Sequence, residues 1–463
     1  ITALSWCPRS VCRIMESPKP IHSGLPPGPR GTLIGGSIQA FRSGILEFLL
    51  DTAREYGPLA SFRFGPKRVF LASRPDLVEQ VLVRDAAHYV KHFGARAFKP
   101  VLGEGLVTSE GAYWQRQRKL EQPAFAKSRV RSYAPILEAL TEDMLQSWSP
   151  GQSVNVEFEF VALTSRIALK ALFDIDYAGD RQRFADKLHL VFDIMTARLR
   201  SVFKAPMWLP TPETVRLKRG IRELDEVVNG FIESGRKRHS VSGDLLSRLV
   251  HLEPEDGVRM TDKQLRDELM TLYLASHETT ALTLAWTWYL LSQNPDAEER
   301  VVDEWRCVLG GRIPSVEDVA NLPDTAKVIL ESLRLCPAVY VIGREATKDL
   351  ELGGYRVKRG NTVFMSQWVS HRDPKYFPDP ESFKPQRWDN GLQRKLPKFV
   401  YYPFGGGQRV CVGNTFALLE AAIILAGVGQ RYRFTLATDA DIAFKPQITL
   451  LPANKIPAIL ERR

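Results

Sequence analysis

The sequence predicts a mainly α-helical fold with small β-sheets near the N-terminus and late in the chain, and leaves one large domain among the open arrangements. Three observations carry this. From about Pro75 to Arg334 apolar residues recur at spacings of three and four, the period of a helix face. Before that stretch, two short apolar runs, Leu59–Phe64 and Lys67–Ala72, flank Gly65-Pro66, which is the punctuation of a hairpin. No Gly/Ser linker, low-complexity tract or internal repeat divides the 463 residues, although about 150 residues per domain would allow roughly three domains.

Taken in order, the chain opens on a leader. It begins with Ile1, and Met15-Glu16-Ser17-Pro18 starts a more natural leader, so residues 1–14 read as an upstream extension. Proline fixes φ and removes a donor, so the Pro/Gly-rich stretch around Leu25-Pro26-Pro27-Gly28-Pro29 predicts an extended arm. Residues 1–24 are assigned to leader and arm, and 25–463 to the domain. Ile45–Tyr56 has helical spacing, as do 137–148, Val156–Phe173, 184–199 and 221–232. Residues 265–291 predict a long helix stopped by Asn294-Pro295. After Arg334 the pattern turns irregular, with strand candidates at Val357 and 362–364. A last helix is expected from Cys411 or Gly413 to about Gly427.

Composition narrows the function. Hydrophobic residues make up 44% and charged residues 25%, as in a globular protein. The net charge of +10 suits a nucleic acid, an anionic membrane, an acidic protein partner or simply a solvated basic surface. No zinc finger, recognition-helix signature or arginine-rich arm is present, which argues against nucleic acid. The five cysteines (Cys7, Cys12, Cys307, Cys336, Cys411) are scattered with no C-x-x-C pair, so a reducing cytoplasm is expected rather than a disulfide framework. No run approaches the ~18 apolar residues of a membrane span. Arg9, Arg13 and Glu16 interrupt the place where a signal or anchor would need apolar residues.

The strongest chemical signal is Phe404-Gly405-Gly406-Gly407-Gln408-Arg409-Val410-Cys411-Val412-Gly413. Glycines let a backbone turn tightly and approach a flat ligand without a Cβ clash. Cys411 precedes an apolar helix, and a helix N-terminus favours the thiolate. Arg409, two residues away, is a cation placed for an acidic group of the ligand. A lone buried cysteine is ordinarily structural. The full spacing F-x-x-G-x-R-x-C-x-G argues otherwise: it resembles the haem-binding loop of the cytochrome P-450 family, in which the cysteine thiolate holds the haem iron.

Further segments extend the resemblance over most of the chain. Glu331-Ser332-Leu333-Arg334 alone would be an ordinary solvated helix pair. With Phe383-Lys384-Pro385-Gln386-Arg387-Trp388 it resembles the family's buried ion triad, here Glu331, Arg334 and Arg387. Gln386 stands where the family usually has Glu. Trp114-Gln115-Arg116-Gln117-Arg118 is a W-x-x-x-R, with Trp114 and Arg118 on one helical face. An amphipathic helix alone would explain it, but the resemblance implies that Trp114 and Arg118 meet the haem propionates, together with Arg344. In Ala275-Ser276-His277-Glu278-Thr279-Thr280 a Glu-Thr pair breaks an apolar helix, which often marks a site. It resembles the family's oxygen-activation stretch, with Ser276 in place of glycine. Glu278 would pass protons inward and Thr279 would hydrogen-bond dioxygen, with Ala275 beside the haem. His277 is read as a solvent-facing or core histidine.

The resemblance implies a haem-dependent monooxygenase: haem b as cofactor, O2 as co-substrate and NAD(P)H acting through a redox partner. Phe404, Gly405, Gly413, Ala275, Trp114, Arg118, Arg344 and Arg409 would hold the haem, Cys411 its iron, and Glu278 and Thr279 would be catalytic. Only about 52 residues follow Cys411, so a separate ferredoxin, flavodoxin or reductase is expected, with a monomeric, bacterial-type enzyme. The lining is expected from 93–107, 192–208, Ala275, Thr279, 339–342 and 449–450, largely apolar, for a hydrophobic small molecule. The Pro-Pro-Gly-Pro arm and W-x-x-x-R are similar to the family's fatty-acid and terpene branches. Two rivals stay open: a thiolate-haem isomerase or dehydratase that needs no reductase, and a haem sensor. On a helical wheel at about 100° per residue from Trp114, Arg118 falls at about 40°, Lys119 at about 140° and Arg116 at about 200°. Arg116 and Lys119, with Arg409 and the Lys395/Lys398 segment, are therefore expected to form a docking face for an acidic partner.

Overall fold

The computed structural model describes residues 24–176, 181–200, 206–238, 244–251, 257–437 and 442–463. The reading of 1–14 as an extension lies outside these residues, as do parts of the expected lining at 201–205. At the centre runs the helix Asp262–Ser292. Thr261 caps it through a capping box with Gln264, whose N–H reaches the Thr261 hydroxyl at 3.3 Å. Asn294 and Pro295 stop it and start the helix Pro295–Leu309. Its buried residues lie on nearly every face, as befits a helix enclosed by others. The helix Val156–Phe173 packs along it, fixed by Thr164 Oγ1 donating to the His277 carbonyl (2.9 Å) and by the Ser165 and Tyr273 hydroxyls (2.6 Å).

The helices Ile45–Tyr56 and Val156–Phe173 have the bounds that their apolar spacing predicts. Others run longer than the predicted stretch, as in Pro212–Lys237, where Leu217 continues the buried face ahead of residue 221. The early hairpin and the late strands form one sheet, in the order Leu59–Phe64, Lys67–Ala72, Thr362–Met365, Ile342–Ala346, Tyr89–Lys91. All pairs are antiparallel except Lys67–Ala72 with Thr362–Met365. The strands Tyr89–Lys91 and Ser153–Asn155 were not expected, because three residues carry no legible alternation. The register places Lys91 opposite Arg344. Like charges directly across a ladder are unfavourable, so this pairing points to something anionic nearby. No helix among the described residues is long and apolar enough to cross a membrane.

Candidate active site

The cysteine loop closes before its helix begins. Cys411 N–H donates to the Phe404 carbonyl at 3.0 Å, and the helix Asn414–Gly429 starts three residues after the cysteine. Gly405 and Gly407 lie at φ +70° and +67°, where side chains are strained. A Cβ on Gly407 would strike the Leu82 carbonyl at 1.9 Å, and one on Gly406 the Phe399 ring at 2.2 Å. Protein packing therefore dictates these two glycines. Only Gly405 faces open space, so the expectation that all three clear a ligand narrows to that one. The Gly413 N–H serves the Cys411 sulfur.

Cys411 is solvent-accessible, yet enough protein surrounds it that burial pushes its thiol up. The Gly413 N–H and Arg118 pull the other way. The two facts describe a sulfur at the floor of a recess. The helix begins three residues after the sulfur, so burial and the Gly413 N–H are the nearer influences on the thiol. A thiol poor at carrying its own charge but open on one side suits a soft metal cation, which supplies the compensating charge.

A cluster of cations borders the recess. The Arg409 guanidinium stacks over the Trp114 ring at 3.8 Å, donates to the Ser109 carbonyl at 3.0 Å and pairs with Glu110. Glu110 also accepts the Lys91 backbone N–H at 2.5 Å. Arg344 is buried, and one of its nitrogens reaches the Gly343 carbonyl at 2.9 Å. Burial, then the Arg409 charge, pull Arg344 down to about 10. Burial, Arg344 and Arg409 hold the Lys91 amine well below its usual range, and burial and Lys91 bring His92 down to about 3. Burial also lowers Arg118, which feels Cys411 on one side and Glu121 on the other. Lys91, Arg344 and Arg409 thus share the carboxylate of Glu110, with Arg118 beside Arg409. This excess of positive charge fits the two carboxylates of a haem, and the open sulfur fits its iron. Lys91, His92 and Glu110 escaped the sequence reading. Only the strand register brings the first two to Arg344, and Glu110 looks like a mere helix N-cap.

The central helix packs against the helix that follows Cys411. Ala275 is exposed and Thr279 half-buried, its hydroxyl donating back to the Ala275 carbonyl at 3.0 Å. Thr283 and Thr287 repeat the pattern at 2.9 and 2.6 Å, and the helix runs unbroken. The Ser276 hydroxyl donates to the Tyr273 carbonyl at 3.0 Å rather than reaching outward. His277 is a core histidine: it is buried, its Nδ1 lies 2.6 Å from the Tyr273 carbonyl, and its ring stacks on Tyr273. Glu278 Oε1 accepts from the Thr449 hydroxyl at 2.9 Å. Next to Thr279, Thr280 meets Glu420 of the cysteine's helix, whose carboxyl burial pushes up to about 8 against the pull of that hydroxyl.

Parts of the expected lining and docking face move. Leu450 is buried in the core, with its carbonyl taken by Trp286 Nε1 at 2.8 Å, and Trp208 is 76% exposed on the outside. Arg116 is half-buried and donates to the Val258 carbonyl, so it is not an outward docking cation. Lys119, Lys395 and Lys398 are exposed. The buried carboxylate Glu331 receives Arg334 at 2.9 and 2.8 Å and Arg387 Nε at 2.8 Å. Trp388 Nε1 and the Lys384 N–H, each at 2.9 Å, complete its set.

A mainly helical domain whose cysteine-bearing loop borders a cation cluster, and whose next helix packs on a threonine-lined central helix, fits the class of haem-thiolate proteins. Residues 26–458 match the family model described as cytochrome P-450. The chain is 34% identical to cyclooctatin synthase of Streptomyces melanosporofaciens over 96% of this chain and 98% of that protein. It is likewise 34% identical to cyclooctat-9-en-7-ol 5-monooxygenase of the same organism, over 90% of each chain. The crystal structure of the cytochrome P-450DA haem domain superposes with a TM-score of 0.87 at 24% identity, covering 96% of this chain and 99% of that one. The chain belongs to the cytochrome P-450 family and is a monooxygenase of that type.

Proposed function

We propose that this enzyme inserts one oxygen atom of O2 into a hydrophobic, terpene-like molecule, using haem b and electrons that reach it from NAD(P)H through a separate ferredoxin, flavodoxin or reductase. The observation that supports the monooxygenase reading is the Glu278–Thr279 pair on the central helix, which packs against the helix that follows Cys411, since an isomerase or dehydratase needs no such acid-alcohol pair. The substrate reading rests on the relative named for oxygenation of an unsaturated alcohol, cyclooctat-9-en-7-ol, at 34% identity. In this reading the domain spans 25–463 and works as a monomer in the cytoplasm.

In this reading each residue of the site has a role. Cys411 would ligate the iron, with Gly413 N–H and Arg118 easing the charge on sulfur. Trp114, Arg118, Arg344 and Arg409 would hold the propionates, and Phe404, Gly405 and Ala275 would border the ring. When bound, haem supplies the oxygen and electron chemistry, and the protein contributes position, electronics and exclusion of water. The Thr279 hydroxyl would present a hydrogen bond to the reacting oxygen, and Glu278 would bring protons from the solvent side.

The test is NAD(P)H-driven oxygen consumption with a ferredoxin and its reductase, alongside a haem spin-state screen of cyclic terpene alcohols and fatty acids. Spin shifts with fatty acids alone would overturn the substrate assignment, and absence of electron-driven oxygen uptake would favour the isomerase. Thr279→Ala is expected to keep haem and substrate binding but to divert most electrons to hydrogen peroxide. Wild-type product per NAD(P)H in that variant would remove Thr279 from the mechanism. Reversing Lys395 and Lys398 to Glu is expected to slow reduction by an acidic ferredoxin severalfold and to flatten its salt dependence, because steering charge is screened over about 8–10 Å. An unchanged rate and salt slope would leave the basic balance a solvated surface.

A further inference from the structure

Thr449 lies at the turn of the hairpin formed by Phe444–Pro446 and Leu450–Pro452. It is buried, and its hydroxyl spends its proton on Glu278 Oε1 at 2.9 Å. The backbone around it is clamped. The Thr449 carbonyl accepts the Gln447 N–H at 2.9 Å, the Leu450 N–H donates to the Ala338 carbonyl at 3.0 Å, and Trp286 Nε1 holds the Leu450 carbonyl at 2.8 Å. The hydroxyl is thus fixed in place before Glu278 meets it.

The two side chains share a cavity of about 20 Å³, whose wall also includes Asp193, Gln447 and Ile448. That volume holds about one water, and the walls offer the two to four polar partners a water needs. Asp193 and Ile448 are exposed, so the cavity lies against the surface. With its amide turned to satisfy both neighbours, Gln447 donates to Asp193 at 3.3 Å and accepts from Lys445 Nζ at 3.2 Å.

We propose that Thr449 is a positioning residue for Glu278, holding its carboxylate at this water-sized cavity, where Glu278 exchanges protons with solvent. The inference rests on the acid role given to Glu278 above. A hydroxyl that donates to a carboxylate stabilises the charged form over the acid. Thr449 therefore keeps Glu278 ready to take a proton from the cavity side. Among the described residues, the charged and titratable groups around Glu278 include Glu157 on the helix Val156–Phe173, Asp193 on the helix Arg181–Arg200, Lys445 on the hairpin, and His277 on its own helix. His277 is committed to the Tyr273 carbonyl. Burial and the Glu278 charge push Glu157 up to about 7 against the pull of Lys445, so a second carboxyl near Glu278 can hold a proton near neutrality. Without the Thr449 hydroxyl, Glu278 loses a donor that favours its charged form.

The experiment is an infrared pH titration of the ferric, haem-loaded enzyme, with the Glu278 band assigned by its loss in Glu278→Gln. In Thr449→Val the midpoint of that band is expected to rise by about one pH unit, the scale of one charge-assisted hydrogen bond. In Thr449→Ser, which keeps the hydroxyl, it is expected to stay at the wild-type value. Should Thr449→Val not fold, Thr449→Ala removes the same hydroxyl without the added bulk and is read in the same way. An unmoved midpoint in a folded, haem-loaded variant overturns the inference, as does a serine variant that shifts as far as valine. Haem content and the reduced, carbon-monoxide-bound spectrum of the wild type test the haem reading separately, so failure of one is not mistaken for failure of the other.

Discussion

Cys411→Ser is expected to abolish the thiolate-type Soret band of the reduced, carbon-monoxide-bound protein and to reduce turnover to background. The change keeps the loop intact, since the contact that closes it is the residue 411 N–H on the Phe404 carbonyl, not the side chain. What is lost is a soft, polarisable ligand. A serine hydroxyl is harder, and at this desolvated position it is far less able to ionise than the thiol. Burial already opposes the thiolate, with only the Gly413 N–H and Arg118 to offset it. The variant should therefore retain haem weakly, through the cations that meet the propionates, and lack axial thiolate. A thiolate-type band of normal position and intensity in Cys411→Ser would sink the assignment of Cys411.

Much of this organisation is legible in the sequence where a motif is local. The cysteine loop, the W-x-x-x-R helix and the Glu278–Thr279 stretch each present their residues within one or two turns of chain, so a resemblance to the family can be read from them. What is not legible depends on register and on distant partners. Lys91 and His92 join Arg344 only because Tyr89–Lys91 pairs with Ile342–Ala346, some 250 residues away in the chain. A wheel separates Arg116 from Trp114 and Arg118, but it cannot show that the Val258 carbonyl is waiting there. The same holds for Thr449. From sequence it is one more lining residue on a late hairpin, whereas in the fold its hydroxyl is committed to Glu278. Cys411 illustrates a different limit. Helix-dipole reasoning singles out Cys411 but does not foresee its burial, because burial is a property of the whole fold and the helix starts three residues later.

The second large effect is expected at Glu331. Its carboxylate is fully buried and accepts from both Arg334 and Arg387, from the Trp388 indole and from the Lys384 backbone N–H. Arg334 is equally buried, and its remaining nitrogen contacts are the carbonyls of His371, Pro380 and Ser382, which are neutral. Glu331→Ala leaves a guanidinium with no counter-charge and a buried indole N–H with no acceptor. Breaking one partner of a buried pair costs about 3–5 kcal/mol, a large part of the ~5–15 kcal/mol that holds a domain together. The damage should reach the haem site, because the same neighbourhood carries the chain into the cysteine loop. Tyr401 Oη donates to the Leu330 carbonyl at 2.9 Å, and the Tyr402 N–H donates to His371 Nε2 at 3.0 Å, just ahead of Phe404. Glu331→Ala is therefore expected to give little soluble protein, with the surviving fraction poor in haem and a lowered denaturation midpoint. Glu331→Gln, which keeps shape and acceptor but not charge, should fall between that variant and the wild type. Normal yield, haem content and midpoint in Glu331→Ala would show that the two arginines do not depend on this carboxylate.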